Sequence, residues 1–183
     1  ALFTFDQAGG DRMQYRDIRQ FGYLRLLETD AIDKLPSIRR LGLEPLGAGF
    51  TWDAFSTALR GRRGMLKALL LNQSAIVGLG NIYADEACFA SRLNPRQDVS
   101  RLKEAQLRDL FKAIPAVLKQ ALGNGGTSLM DYRRADGTHG LNQGSLAAYG
   151  RAGQACLRCG TTLKKTQVSP RTTVYCPHCQ RLR

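Results

Sequence analysis

Four of the five cysteines in this 183-residue sequence have the spacing of metal ligands. Cys156 and Cys159 form one C-x2-C pair, Cys176 and Cys179 form a second, and sixteen residues separate the pairs. Two such pairs joined by a hairpin supply four sulfur ligands in a tetrahedral arrangement. The pattern therefore predicts one structural Zn2+ ion. Four protein ligands leave no open position for a catalytic role.

Two alternatives to zinc exist for these cysteines. Two disulfides would require an oxidising compartment, and no secretory signal is visible in the sequence. An iron site of the rubredoxin type would have the same ligands, but residues 151–183 carry seven basic and no acidic side chains, which does not favour a redox role. His178 could replace a sulfur ligand, although four sulfurs already suffice. The fifth cysteine, Cys88, lies in the apolar stretch Ala84–Ala90 and is expected to be a buried thiol.

A second candidate site is the turn Gly78-Leu79-Gly80, which a helix follows directly. Such a turn directs unpaired backbone N–H groups and the positive end of the helix dipole at one point. With Lys67 nearby in sequence, and Asn81 and Tyr83 as further donors, this point is a candidate phosphate site. The alternative is an ordinary turn between two helices, with Ile82 and Tyr83 buried.

The charge distribution favours a polyanionic partner. The net charge is +12, and between Asp53 and Asp85 there is no acidic residue. Concentrated positive charge of this kind is most often a nucleic-acid surface, the alternative being a solvated basic face. The apolar runs are too short to cross a membrane, and a hydrophobic content of 43% argues against disorder.

The elements that would position these groups predict an α+β protein with a remnant antiparallel sheet, a helical bundle and a zinc-binding β-hairpin. We interpret Leu35–Gly49 as a linker and Leu129–Gly150 as a long loop. The predicted strands are Leu2–Phe5, Met13–Tyr15, Phe21–Leu27, Thr161–Gln167 and Arg171–Tyr175, with turns at Gln7–Asp11 and Ser169-Pro170. The predicted helices are Trp52–Leu59 capped by Thr51, Met65–Leu70, Ile82–Ala90, Arg101–Glu104 capped by Ser100, and Gln106–Leu122, with a kink or break at Pro115.

Five separated motifs, in the same order, resemble the formamidopyrimidine-DNA glycosylase family. The resemblance covers essentially the whole chain, and Ile18 stands where the family usually has proline. The motifs are Asp17-Ile18-Arg19-Gln20-Phe21-Gly22, Leu41-Gly42-Leu43-Glu44-Pro45-Leu46, the run from Lys67 through Gln73 and Val77–Glu86 to Asn94-Pro95, Tyr149-Gly150-Arg151, and the four cysteines with Arg171 five residues before Cys176.

The resemblance implies three regions. Residues 1–49 would be the last strands of an N-terminal β-sandwich domain plus a linker, residues 50–150 a helix–two-turn–helix domain, and residues 151–183 a zinc finger. It also implies base-excision DNA repair: removal of oxidised purines such as 8-oxoguanine and formamidopyrimidines, followed by cleavage at the abasic site. The family's catalytic proline and glutamate match no residue here, so we expect this chain alone to be inactive.

The resemblance also implies roles for seven residues in binding DNA. Arg19 would hydrogen-bond the base opposite the lesion, and Phe21 would fill the gap in the base stack, unless it is simply a buried strand residue. The loop Thr127–Asn142 would cover the extruded base. The residues expected to hold phosphates are Lys67, Gly80 through its backbone, Asn81, Tyr83 and Arg171, the last being otherwise a solvated arginine.

Three hypotheses remain at this point. The chain is the DNA-reading part of a glycosylase and abasic-site lyase, or a binding module for damaged DNA without catalysis, or a zinc ribbon that acts on RNA or a protein. The expected partner is double-stranded DNA with oxidised bases or abasic sites. We expect a monomer in the bacterial cytoplasm, associated with the nucleoid, without membrane attachment.

Overall fold

The computed structural model describes residues 1–5, 11–15, 17, 20–129, 133–134 and 136–182. They form two compact units, Ala1–Arg39 and Arg40–Arg183. No helix in these residues is both long and apolar enough to span a membrane. The strands are β1 (Leu2–Thr4), β2 (Arg12–Gln14), β3 (Lys164–Val168) and β4 (Arg171–Tyr175); the helices are α1 (Pro36–Arg39), α2 (Trp52–Leu59), α3 (Leu66–Leu70), α4 (Asn81–Ala90) and α5 (Glu104–Gly123).

The first unit contains a short antiparallel hairpin. Strand β1 pairs with β2 so that Phe3 lies opposite Met13, and every residue of both strands is exposed. The predicted third strand, Phe21–Leu27, is wrong: these residues form no strand and are largely exposed. Their apolar residues fit a strand pattern, but no described neighbour pairs with them. The predicted turn Gln7–Asp11 lies outside the described residues except for Asp11.

The second unit has a helical core in which α2, α3, α4 and α5 contribute buried side chains. Thr51 caps α2 by accepting a hydrogen bond from the Ala54 backbone N–H, as predicted. Phe50, Phe55 and Phe111 pack with ring centroids 5.0 to 5.6 Å apart. The fully buried centre of this core comprises Phe55, Leu66, Leu70, Ile76, Leu110 and Ile114.

The long helix α5 continues through Pro115, so the predicted break is absent. A proline inside a helix removes one backbone hydrogen bond. The missing bond is the one to the Phe111 carbonyl, and the neighbouring Leu110 and Ile114 are fully buried in the core, which offsets its loss. The expected short helix Arg101–Glu104 is also wrong. Val99–Arg101 forms a 3-10 turn that Asp98 caps, because the Asp98 carboxylate accepts from the Ser100 backbone N–H.

Strands β3 and β4 form the second hairpin, in which Lys164 lies opposite Tyr175 and Val168 opposite Arg171. The predicted strand regions are confirmed, with β3 beginning later than expected. Strand β4 has buried residues on both faces. Val174 packs with Phe89 and Leu163 on one face, whereas Val168 and Thr173 are buried on the other. This small core joins the hairpin to the helical core through α4.

Candidate metal centre and nucleic-acid interface

The four paired cysteines meet at the base of the β3–β4 hairpin. Their sulfur atoms all lie within 4.8 Å of one another. Sulfurs that bind one zinc ion at about 2.3 Å in a tetrahedron are about 3.8 Å apart, so the cluster has the right size. Gly160 follows the first pair with φ +75°, the left-handed conformation expected there. Hydrogen bonds with Thr161 lower the pKa of the Cys159 thiol to about 5, whereas burial raises the pKa of the Cys176 and Cys179 thiols.

The hairpin is fixed to the helices by a buried ion pair. Lys67 on α3 lies 2.7 Å from the Asp85 carboxylate on α4, and both side chains are fully buried. The Lys67 ammonium also donates to the Thr172 carbonyl and the Thr173 hydroxyl, each at 2.9 Å. Asp85 in turn accepts from the Val174 backbone N–H at 3.0 Å. Two helices and β4 therefore meet at one pair of charges.

The predicted phosphate contact of Lys67 is therefore wrong. Its three N–H groups are used by Asp85, Thr172 and Thr173, and no part of its side chain reaches solvent. A buried ammonium requires a compensating charge, and Asp85 supplies it. Burial raises the pKa of Asp85 to about 6, although the hydrogen bond and charge of Lys67 act in the opposite direction.

The next residue on α4 fixes a different segment. Glu86 accepts hydrogen bonds at 2.8 to 2.9 Å from the backbone N–H groups of Ala147, Ala148 and Tyr149. These residues lead from the predicted long loop into the zinc finger. Asp85 and Glu86 are neighbours in sequence, and between them they hold the segments on both sides of the first cysteine pair.

The turn before α4 has the geometry that the sequence predicts. Gly78 has φ +85°, which other residues rarely adopt. Gln73 holds the turn from inside: its side chain accepts from the Gly78 backbone N–H and donates to the Leu79 carbonyl, both at 2.9 Å. The turn is thus fixed by one side chain, and α4 begins directly after it.

The N-terminus of α4 is open. Gly80 precedes the helix without a side chain to cap it, and a Cβ placed on Gly80 would meet nothing within 4 Å. The side-chain oxygen of Asn81 is buried and has no hydrogen-bond partner among the described residues. The first N–H groups of a helix have no partners within the helix. Backbone donors and free space therefore coincide here, as an anion would require, whereas the Asn81 oxygen can only accept a hydrogen bond.

Tyr83 lines a cavity beside this helix end. The cavity has a volume of about 450 Å³ and a mainly apolar lining that includes Gly78, Ile82 and Leu118. The Tyr83 hydroxyl shares a hydrogen bond of 3.1 Å with the Thr127 hydroxyl, which closes one side. The Tyr83 hydroxyl therefore already has one partner inside the chain.

The remaining predicted DNA contacts are separated along the chain. Arg171 is exposed at the tip of the β3–β4 hairpin, the end away from the cysteines. Phe21 is 85% exposed and belongs to the first unit, so the alternative of a buried strand residue is wrong. Arg19 lies outside the described residues. In the second unit, Gly80, Asn81 and Arg171 are therefore accessible to solvent, whereas Lys67 is buried.

Sequence reasoning missed three residues that hold the site together. They are Asp85, Glu86 and Gln180, whose amide accepts from the Cys176 backbone N–H and donates to the Leu93 carbonyl. The signal for the first two was two consecutive acids in an otherwise apolar helix of a basic protein. Acidic residues are rarely buried unless paired, so their place in that helix predicts partners.

Family profiles match most of the second unit. The "Formamidopyrimidine-DNA glycosylase H2TH domain" matches residues 41–132, just over half of the chain, and the "Zinc finger found in FPG and IleRS" matches residues 153–182. The second match covers all four clustered cysteines, which form one structural zinc site.

Whole-chain comparisons agree with these profiles. The formamidopyrimidine-DNA glycosylase of Roseiflexus sp. (strain RS-1) is 46% identical over 172 residues, which cover 94% of this chain and 62% of that protein. The crystal structure of the MutM (Fpg) protein of Thermus thermophilus superposes with a TM-score of 0.78 and 41% identity, covering 85% of this chain and 59% of that one. The Lactococcus lactis Fpg in complex with an abasic site containing DNA gives a TM-score of 0.87 and 34% identity, covering 97% and 65%. This chain thus spans less than two thirds of each of these relatives, and it belongs to the formamidopyrimidine-DNA glycosylase family.

Proposed function

We propose that this chain is the DNA-gripping part of a base-excision repair enzyme, a bifunctional glycosylase and abasic-site lyase that removes oxidised purines such as 8-oxoguanine and formamidopyrimidines. The observation that carries the proposal is the open N-terminus of α4, where the free backbone N–H groups of the first turn and the unfilled space at Gly80 coincide. Its neighbours in structure include Lactococcus lactis Fpg with DNA that contains an abasic site or Fapy-dG.

In this proposal the grip has two points in the second unit. Gly80 and Asn81 hold a backbone phosphate at the start of α4, where the helix dipole favours negative charge. Arg171, at the free end of the hairpin, holds another phosphate. The cavity beside Tyr83 lies next to the first point and is large enough for an extruded base. The protein acts as a monomer on duplex DNA in the bacterial cytoplasm.

A second candidate is a damaged-DNA-binding module without catalysis. It is favoured by one observation: none of the 183 residues matches the family's catalytic proline and glutamate, so every role proposed above is a binding role. Borohydride trapping on duplexes with 8-oxoguanine or an abasic site separates the two. A covalent adduct would show that an amine of this chain performs the chemistry. A gel shift without an adduct would assign catalysis to residues outside this chain.

Two matched pairs of variants test the grip. Gly80→Ala should weaken binding to lesion-containing duplex by about tenfold because the methyl group occupies the phosphate position; Gly123→Ala, also at an unfilled site with ordinary φ, should not. Arg171→Ala should reduce the slope of log K against log salt by about one unit, whereas Lys34→Ala, an exposed lysine outside the family motifs, should leave it unchanged. Equal slopes for wild type and Arg171→Ala would remove that residue from the grip.

A further inference from the structure

A groove runs beside the zinc cluster at the C-terminal end of α4. Its two adjoining hollows have volumes of about 550 and 510 Å³ and share Ser91, Arg92 and Asp109. The walls come from the end of α4, the outer side of α5 and both cysteine pairs. We propose that this groove binds an acidic, partly apolar peptide segment of a partner protein.

The rim of the groove is strongly basic. Arg92, Lys112 and Arg181 line it and are exposed, whereas Asp109 is its one carboxylate among the described lining residues. A fourth cation, Arg158, is held in place because it donates to the Phe89 carbonyl at 3.1 Å and lies 4.6 Å from the Phe89 ring centroid. Positive charge on a concave surface attracts and orients an acidic partner.

The backbone at Arg92 gives independent support. Helix α4 ends in a Schellman motif: the Leu93 N–H donates to the Cys88 carbonyl, and the Arg92 N–H donates to the Phe89 carbonyl. The residue at the position of Arg92 in this motif adopts the left-handed conformation and is usually glycine. Here it is an arginine with φ +58°. The chain accepts backbone strain at this position while placing a cation on the rim, which is expected where the side chain has a function.

The floor of the groove favours a peptide over a nucleic acid. It contains the apolar side chains of Leu93, Ala113 and Ala116. No Phe, Tyr or Trp is among the described residues that line either hollow, so single-stranded bases have no such ring to stack on. Asp109, in the shared part, would repel phosphates but can pair with a peptide N–H. An extended chain with alternating acidic and apolar side chains matches both the rim and the floor.

The groove is distinct from the proposed DNA grip. Asn81 begins α4 and Arg92 follows its end, which for ten residues is a separation of about 15 Å. Arg171 likewise lies at the end of β4 away from Cys176. The phosphate contacts proposed for Gly80, Asn81 and Arg171 therefore do not explain the cations of the groove. The chain should bind DNA and the peptide at the same time.

The test is fluorescence anisotropy of the zinc-loaded chain with a labelled decapeptide in which Asp and Glu alternate with Leu and Phe. Arg92→Gly should raise the peptide Kd by at least about fivefold, a loss of about 1 kcal/mol, while Tm stays equal or rises because glycine relieves the strained backbone. Arg181→Ala should weaken the peptide similarly. Arg96→Ala, an exposed arginine outside both hollows, is the matched control and should change nothing.

Specificity controls make the result decisive. A peptide with Lys in place of the acids should not bind, and lesion-containing duplex should bind wild type and Arg92→Gly equally. An unchanged peptide Kd in Arg92→Gly, or no peptide binding at millimolar concentration, would overturn the proposal. It would also be overturned if labelled single-stranded DNA bound in the groove more tightly than the peptide, or if Arg92→Gly weakened duplex binding as much as peptide binding. Loss of DNA binding alone would leave it intact.

Discussion

The two β-hairpins of this chain are stabilised in different ways. The β1–β2 hairpin has three-residue strands whose side chains are all exposed, so among its described residues the strands are held together by backbone hydrogen bonds. The β3–β4 hairpin has five-residue strands, buried residues on both faces, a four-cysteine cluster and a buried ion pair with the helices. A two-stranded hairpin is marginal by itself in water. The difference shows that the second hairpin owes its structure to zinc and to α4.

The largest expected effect is that of removing zinc. Structural zinc sites supply on the order of 10 kcal/mol of folding free energy, so a chelator, or Cys176→Ser, should unfold β3–β4. Amide chemical shifts should collapse toward random-coil values for residues 153–182, while those of β1–β2 and of α2 stay in place. Far-ultraviolet circular dichroism should retain most of its helical signal. Unchanged hairpin shifts in the metal-free protein would show that packing alone maintains the finger.

The next effect concerns the ion pair. Asp85→Asn leaves the Lys67 charge buried without its partner, and we expect a loss of about 3–5 kcal/mol in the free energy of unfolding. Asp30→Asn is the matched control, because Asp30 lies 3.6 Å from Lys34 and both side chains are exposed. We expect this variant to lose at most about 0.5 kcal/mol, the usual contribution of an exposed pair four residues apart in a helix. Urea unfolding measures both. Similar losses for the two variants would contradict the buried geometry.

A smaller effect comes from trimming one side chain in each hairpin. Val174→Ala removes buried atoms from the core shared by α4 and β4 and should cost about 1–2 kcal/mol. Met13→Ala in β2 removes an exposed side chain and should change stability by less than about 0.5 kcal/mol. Thermal unfolding of the two variants gives the comparison. A larger loss for Met13→Ala would show that the β1–β2 surface is covered in solution.

The last effect is the pH dependence of the ion pair. The pKa of Asp85 is raised in the folded chain to about 6, above its usual 3.8. Below that pKa Lys67 loses its partner charge, as it does in Asp85→Asn. Stability that rises as pH falls from 6 to 4 would show that burial outweighs the ion pair, and stability that falls would show that the ion pair outweighs burial. The Asp85 carboxyl carbon should titrate with a midpoint near 6 in nuclear magnetic resonance spectra. A midpoint near 4 would show that Lys67 outweighs burial.

The zinc ligands and the turn before α4 were predictable because short-range chemistry determines them. Cysteine spacing and a Gly-Leu-Gly turn before a helix have local meaning. The environment of Lys67 was not predictable, because its partners lie 18 and more than 100 positions away, on α4 and β4. A basic residue near a phosphate motif has the same local pattern whether it faces solvent or the interior.

The prediction of a strand at Phe21–Leu27 is wrong for a related reason. Alternating apolar residues describe a strand only when a neighbouring strand is present to pair with it. The helix through Pro115 shows the opposite case, in which burial of Leu110 and Ile114 overrides a strong local signal. Arg171 and Gly80 lie at exposed ends of regular elements, so their positions followed from the element boundaries alone.

The burial of Cys88 has a practical consequence for thiol chemistry. Its side chain is completely buried near the C-terminal end of α4, and burial raises its thiol pKa far above neutrality. Alkylating reagents attack the thiolate, so Cys88 is inert while the helical core is folded. The number of cysteines alkylated by iodoacetamide, measured by mass spectrometry, would then report whether zinc is bound. The zinc-loaded chain should take up no label, and the zinc-free chain should take up four.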